Sequence, residues 1–259
     1  MHILVTNDDG VTAPGLLALA QAMRDLGKVS VVAPDHNWSV SGHVKTLHRP
    51  LRVTQATLAD GTEALASDGA PSDCVALALL GILEEPVDLV VSGINPNANL
   101  GHDITYSGTV TAAMEATIGG LPAVAVSLDG PGDVLAKVDY SSAAAVARLV
   151  VERVVRQSLP KDVLLNVNVP YSPLNEIKGY RITRQGSRIY NDQLIRRADP
   201  RGLPYYWIGG DAPTGLPEEG TDVGAIAGGY VSITPIQLDL TAYSFMSTLA
   251  EWDWPDLNA

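Results

Sequence analysis

The sequence predicts an α/β fold: a mostly parallel sheet with helices on both faces, followed by a β-rich C-terminal extension. Three observations predict it. His2–Thr6 is a short apolar, β-branched run, and Val29–Ala33 is a second one, with helical spacing between them. The alternation of apolar runs and helical patterns then continues to about Val169. After Pro170 helical periodicity fades, and Gly, Pro, Tyr and Trp become denser.

Each element has a local reason. Thr12-Ala13-Pro14 starts a helix, because a proline at an early position loses no hydrogen bond. Leu16, Leu19, Ala20, Met23 and Leu26 fall on one helical face, and Gly27 ends it. Pro71-Ser72 opens an apolar helix to about Leu83, and Asp88–Ser92 is a strand. Gly108–Ile118 reads as helix, Pro122–Leu128 as strand, Tyr140–Arg156 as helix and Val163–Val169 as strand. Strands alternating with helices give parallel sheets, whose right-handed crossovers put every strand's carboxyl end on one ligand-binding edge. Beyond Pro170, Tyr180–Thr183, Tyr205–Ile208 and Tyr230–Thr234 read as strands and Thr241–Trp252 as a last helix. The expected organisation is a single domain over 1–259, with a core at 1–170 and an extension at 171–259 that packs on the core or on another subunit.

Composition narrows the function. The 259 residues hold 17 Lys+Arg against 29 Asp+Glu, a formal net charge of −12, with 46% hydrophobic and 18% charged residues. That balance fits a globular chain and argues against nucleic-acid polymers and membrane surfaces, both of which repel negative charge. The one cysteine excludes an intrachain disulfide, and with five histidines a Cys/His zinc site is ruled out. No apolar run reaches a membrane span and the N-terminus lacks a signal-peptide pattern, so a cytoplasmic location is expected.

Three loops follow apolar strands and therefore share the ligand edge. The first is Asn7-Asp8-Asp9-Gly10. Two adjacent carboxylates at the end of a buried strand are costly unless they meet water, donors or a cation, and hard divalent cations take such oxygens. A solvated turn is the bland alternative. Gly10 to Gly15 has phosphate-loop spacing, but Leu16-Leu17 stands where that loop needs Lys and a hydroxyl. A haloacid-dehalogenase arrangement fails too, since Gly10 occupies the place of its second Asp. The second loop runs from Ala33 to Gly42 through Asp35, Trp38 and Ser39. His36, His43 and His48 read as surface histidines. The third runs from Ser92 through Asn95, Asn97, Asn99 and Gly101 to Tyr106-Ser107-Gly108-Thr109. Ser107 is a helix N-cap on one reading; on another, the hydroxyls, amides and dipole of that helix start seat a phosphate. A phosphate there faces the carboxylates of the first loop, and a bridging divalent cation reconciles the two charges.

Together, Asn7-Asp8-Asp9-Gly10, Ala33-Pro34-Asp35 with Ser39, Gly69-x-Pro71-x-Asp73-Cys74, Ser92-Gly93-Ile94-Asn95, Asn99-Leu100-Gly101 and Tyr106–Val110 resemble the SurE (survival protein E) nucleotidases. The resemblance continues through Asp199-Pro200-Arg201-Gly202, Gly220-Thr221-Asp222 and Tyr230–Pro235. It implies a Rossmann-like core and a metal-dependent phosphatase acting on nucleoside 5′- and 3′-monophosphates, with some action on short polyphosphate. It further implies one divalent ion per subunit (Mg²⁺, Mn²⁺ or Ca²⁺) on Asp8, Asp9, Ser39 and Asn95. Ser107, Gly108 and Thr109 would seat the phosphate with Asn95 nearby, and Asn99 would lie beside the reacting group. Either Asp8 or Asp9 would take a water's proton. A homodimer or homotetramer through the extension is also implied. A non-catalytic nucleotide-binding module is the competing reading. The sequence departs from the family pattern at Val40, where many members have Gly, at Pro96-Asn97-Ala98, and at Tyr243, where some have His.

Overall fold

The computed structural model describes residues 1–132 and 137–257. The first unit is β1 (His2–Thr6), α1 (Pro14–Met23) and β2 (Lys28–Pro34). Then come β3 (Val53–Thr57), β4 (Glu63–Ser67), α2 (Pro71–Leu77) and β5 (Leu89–Asn95). The core closes with α3 (Gly108–Ile118), β6 (Ala123–Asp129), α4 (Ser141–Gln157) and β7 (Val163–Pro170). The extension adds β8 (Tyr180–Ile182), β9 (Arg188–Ile189), β10 (Asp192–Ala198), β11 (Pro204–Gly210) and β12 (Thr214–Gly215). It ends with α5 (Asp222–Ala227), β13 (Val231–Gln237) and α6 (Tyr243–Ala250).

The main sheet has nine strands in the order β3-β4-β2-β1-β5-β6-β7-β13-β8. Counted along the chain, its parallel core β4-β2-β1-β5-β6-β7 is a 3-2-1-4-5-6 arrangement. That is the doubly wound order, and its direction reverses between β1 and β5, where such sheets open a ligand crevice. Strand alternation sends Ile3 and Val5 to one face and Leu4 to the other. Ile3 and Val5 pack with Leu16 and Leu19 of α1 and with Val146 and Val150 of α4. Leu4 packs with Val75 of α2 and with Val110 and Ala113 of α3. Each fully buried aliphatic side chain contributes roughly 1.5–3 kcal/mol.

Two expectations need adjusting. The helix from Pro71 is α-helical to Leu77 and continues as one π turn over Ala78–Ile82, where Gly81 at φ 108° breaks it. Nor is Pro170 a structural boundary of the sheet: β13 pairs antiparallel with β7 and parallel with β8, so the extension supplies two of the sheet's strands. The extension also contains the short helix α5, in a stretch for which the sequence predicted no element.

Candidate functional site

At the reversal point the chain turns sharply after β1. The Asn7 side chain donates to the Gly10 carbonyl (3.1 Å) and accepts from the Gly10 amide (3.2 Å), closing the turn on itself. Gly10 sits at φ 102°, a backbone shape that side chains disfavour. This places Asp8 and Asp9 at the end of β1 beside the end of β5, since Thr6 pairs with Ser92.

Asp8 is 3% exposed and is held from the start of α3. Thr109 Oγ1 donates to Asp8 Oδ1 at 2.5 Å and the Thr109 amide donates to Asp8 Oδ2 at 3.1 Å. A Cβ on Gly108 would stand 2.7 Å from the Asp8 Cβ, so only glycine lets the helix start approach this closely. Burial pushes the Asp8 carboxyl above the usual range, and the bonds from Thr109 and Gly108 pull against that. Asp9 lies on the other side of the strand end, where Asn37 Nδ2 donates to its Oδ1 at 3.4 Å. Its carboxyl is pushed up to about 7, by burial first and by the Asp8 charge second. The two carboxylates therefore feel one another, as expected, although they are gripped from different sides.

The other expected residues lie on the segments that follow β2 and close β5. The Trp38 amide donates to the Asp8 carbonyl (2.7 Å) and the Ser39 amide to Asn37 Oδ1 (2.7 Å), so Ser39 follows directly on the segment bonded to both aspartates. The Gly42 amide donates to the Tyr106 carbonyl (2.9 Å), tying the second loop to the third. Asn95 closes β5, and its side-chain nitrogen donates to the Asn97 carbonyl (2.5 Å). Asn99 is 7% exposed and donates from Nδ2 to Ser127 Oγ (2.8 Å). Ser107 caps α3, its Oγ accepting from the Val110 amide at 3.1 Å. His36, His43 and His48 are exposed, as expected.

Thr109 is not arranged as expected. Its hydroxyl and its amide both go to Asp8, so the anion at the α3 start is a carboxylate of the protein itself. Val40 is in the left-handed region at φ 60°, which a β-branched residue adopts only under strain. That is the physical meaning of finding Val beside Ser39 rather than Gly.

Sequence reasoning missed several residues at this edge. Tyr140, at the start of α4, is pushed up to about 12 by burial and the nearby Asp9 charge. Arg188 Nε stands 2.8 Å from Asp103 Oδ2 and brings positive charge toward Asp129. Asp222 accepts backbone N–H bonds from Gly101 (2.8 Å), Gly186 (2.7 Å) and Val223 (2.8 Å), fastening the third loop to the extension. For Asp222 the only signal was its place in the Gly220-Thr221-Asp222 motif; Tyr140 and Arg188 had none.

The donor set is what a hard divalent ion takes: two carboxylates, a hydroxyl and a carboxamide oxygen. Among the described residues no Lys or Arg pairs with buried Asp8 or half-buried Asp9. No three His, Cys, Asp or Glu side chains converge on a metal position among the described residues. The fit therefore rests on the mixed set of Asp8, Asp9, Ser39 and Asn95.

Fold and site define a doubly wound α/β protein whose paired aspartates lie at the reversal of its strand order. The family model for survival protein SurE matches residues 3–192. The chain is 53% identical over 257 residues to "5'-nucleotidase SurE" of Herpetosiphon aurantiacus, covering 98% of this chain and 99% of that one. It is 50% identical over 254 residues to the protein of the same name from Chloroflexus aggregans, covering 98% and 100%. The crystal structure of the SurE protein from Aquifex aeolicus superposes with a TM-score of 0.80 at 43% identity, covering 96% of this chain and 98% of that one. The chain belongs to the SurE family.

Proposed function

We propose that this protein is a divalent-metal-dependent nucleotidase that hydrolyses nucleoside 5′- and 3′-monophosphates, and short polyphosphate, to inorganic phosphate. The observation that carries this reading is the pairing of buried Asp8 with half-buried Asp9, without a cationic partner among the described residues. Relatives named 5'-nucleotidase at about half identity over nearly the whole chain support the substrate class.

Asp8, Asp9, Ser39 and Asn95 would hold the ion, Mg²⁺, Mn²⁺ or Ca²⁺. When bound, it supplies charge stabilisation at the phosphoryl oxygens and favours ionisation of an attacking water. Asp8 is oriented by two bonds from Thr109, whereas Asp9 accepts only one long bond from Asn37. Asp9 is thus the freer of the two to take the water's proton. Asn99, with its second side-chain N–H, stabilises charge on the transferring group. Ser107 and Gly108 place the start of α3, and its dipole, toward the same charge.

The protein works as a homodimer or homotetramer. The exposed apolar side chains of β10, β11 and α6, among them Leu194, Trp207, Ile208 and Tyr243, support an assembly that covers them. Among the described residues no helix is long and apolar enough to cross a membrane, and we place the protein in the cytoplasm with no nucleic-acid or membrane partner.

The test is release of phosphate from 5′-AMP, 3′-AMP, 5′-GMP and tripolyphosphate with Mg²⁺, Mn²⁺, Ca²⁺ or EDTA. Turnover that needs a metal and stops in EDTA is expected. Tight nucleotide binding without phosphate release across the whole metal panel would overturn the reading.

A further inference from the structure

Asn166 and Asn168 lie on β7, the last strand of the parallel core, between β6 and the antiparallel β13, and both are 0% exposed. Their neighbours Leu164, Val167 and Val169 are apolar and equally buried. Asparagine is disfavoured in strands, and a buried carboxamide costs free energy unless it is hydrogen-bonded. An aliphatic pair would fill the same positions at less cost.

Both side chains bond to one residue, Asn99, and Asn166 Oδ1 is left without a hydrogen-bond partner among the described residues. Asn168 Oδ1 accepts from the Asn99 amide at 2.8 Å, and Asn168 Nδ2 donates to the Asn99 carbonyl at 3.1 Å. Asn166 Nδ2 donates to the same carbonyl at 2.9 Å. The Asn168 side chain can sit only one way round, since the N–H needs an acceptor and the C=O a donor. The Asn99 side chain is fixed separately, through its bond to Ser127, which pairs in register with Asn168. A loop residue thus has its main chain bracketed from β7 and its amide pinned to β6.

We propose that Asn166 and Asn168 are positioning residues for Asn99: they act on turnover through the placement of the Asn99 amide and not through contact with substrate. This rests on the role given to Asn99 under the proposed function. A displacement of about 1 Å in a group that acts at the transition state costs up to about a hundredfold in rate.

The test is a double-mutant cycle on the full chain with Mn²⁺ and 5′-AMP, reading kcat and KM separately, with melting temperature as the check on folding. Asn168→Ala is expected to lower kcat about 10–100-fold and to leave KM nearly unchanged. In the Asn99→Ala background the same substitution is expected to lower kcat by less than about twofold, because the group it positions is already gone. A purely structural role would cut kcat by the same factor in both backgrounds, and that result overturns the proposal. So does a folded Asn168→Ala with wild-type kcat while Asn99→Ala is impaired; the proposed role of Asn99 then still stands. If Asn99→Ala itself turns over like wild type, the role of Asn99 fails and the positioning claim with it. If Asn168→Ala does not fold, Asn166→Ala takes its place in the same cycle, since it leaves the Asn99 carbonyl with its Asn168 donor.

Discussion

The carboxyl edge of the sheet and the arms of the extension are opposites. At the edge, polar side chains are buried: Asp8, Asn99, Asn166, Asn168 and Asp222 are all below a tenth exposed, and each is hydrogen-bonded to another element. In β10, β11 and α6, apolar side chains are out: Leu194 is 72% exposed, Ile208 81% and Tyr243 66%. Burying a polar group costs free energy unless it is paired, and exposing apolar surface forgoes the hydrophobic gain. A chain that accepts both costs does so for different ends. On the function proposed above, the edge holds groups in place for a ligand, and the arms keep surface for another subunit.

If the contrast is right, damage to each region should show in a different measurement. The largest effect is expected from Asp8→Asn, which keeps the shape of the side chain but removes the charge that attracts the ion. Turnover of 5′-AMP should fall about a thousandfold, or about 4 kcal/mol at the transition state, while the melting temperature holds or rises. The rise has a physical basis: a buried carboxylate without a counter-ion destabilises the metal-free fold.

Asp222→Ala should come next, and it attacks stability. Three buried backbone N–H groups lose their acceptor, each worth about 1–3 kcal/mol. Thermal unfolding should shift down by several degrees, and protection of the Gly101 and Gly186 amides in hydrogen exchange should drop first. Leu194→Asp with Ile208→Asp, directly opposite each other on β10 and β11, should act on the arms alone. Light scattering should then show a smaller particle, at a cost of about 2 kcal/mol or more in assembly, with the fold of each chain intact.

The smallest effect is expected from Val40→Gly. Relief of a left-handed β-branched residue gains about 1–2 kcal/mol, and the looser unfolded chain gives back about 0.4–1 kcal/mol. The net is a slight rise in melting temperature, with the sign set by the strain at φ 60°.

The same contrast explains what could be read from the sequence. The parallel core apart from β4 was legible because buried strands such as His2–Thr6 and Val163–Val169 are largely apolar runs. Asp8 and Asp9 were legible because adjacent carboxylates at a strand end stand out against such a run. β3, β4 and β10 were not: β3 and β4 form the sheet margin, β10 is exposed along its whole length, and none has a clean apolar alternation. Asn166 and Asn168 carry no local signal, because the residue they hold lies 67 and 69 positions away. Asp222 reaches Gly101 across 121 positions. Ser39 and Asn95 came from resemblance alone, since nothing in their local spacing marks a ligand.

The central claim is that the aspartates at the end of β1 hold a divalent ion. It is tested most directly by calorimetric titration of Mn²⁺ into the metal-free wild-type chain and into the Asp8→Asn/Asp9→Asn double variant. One ion per chain in the wild type and none in a folded double variant is the predicted result. Equal binding by both proteins, or none by the wild type, would contradict it.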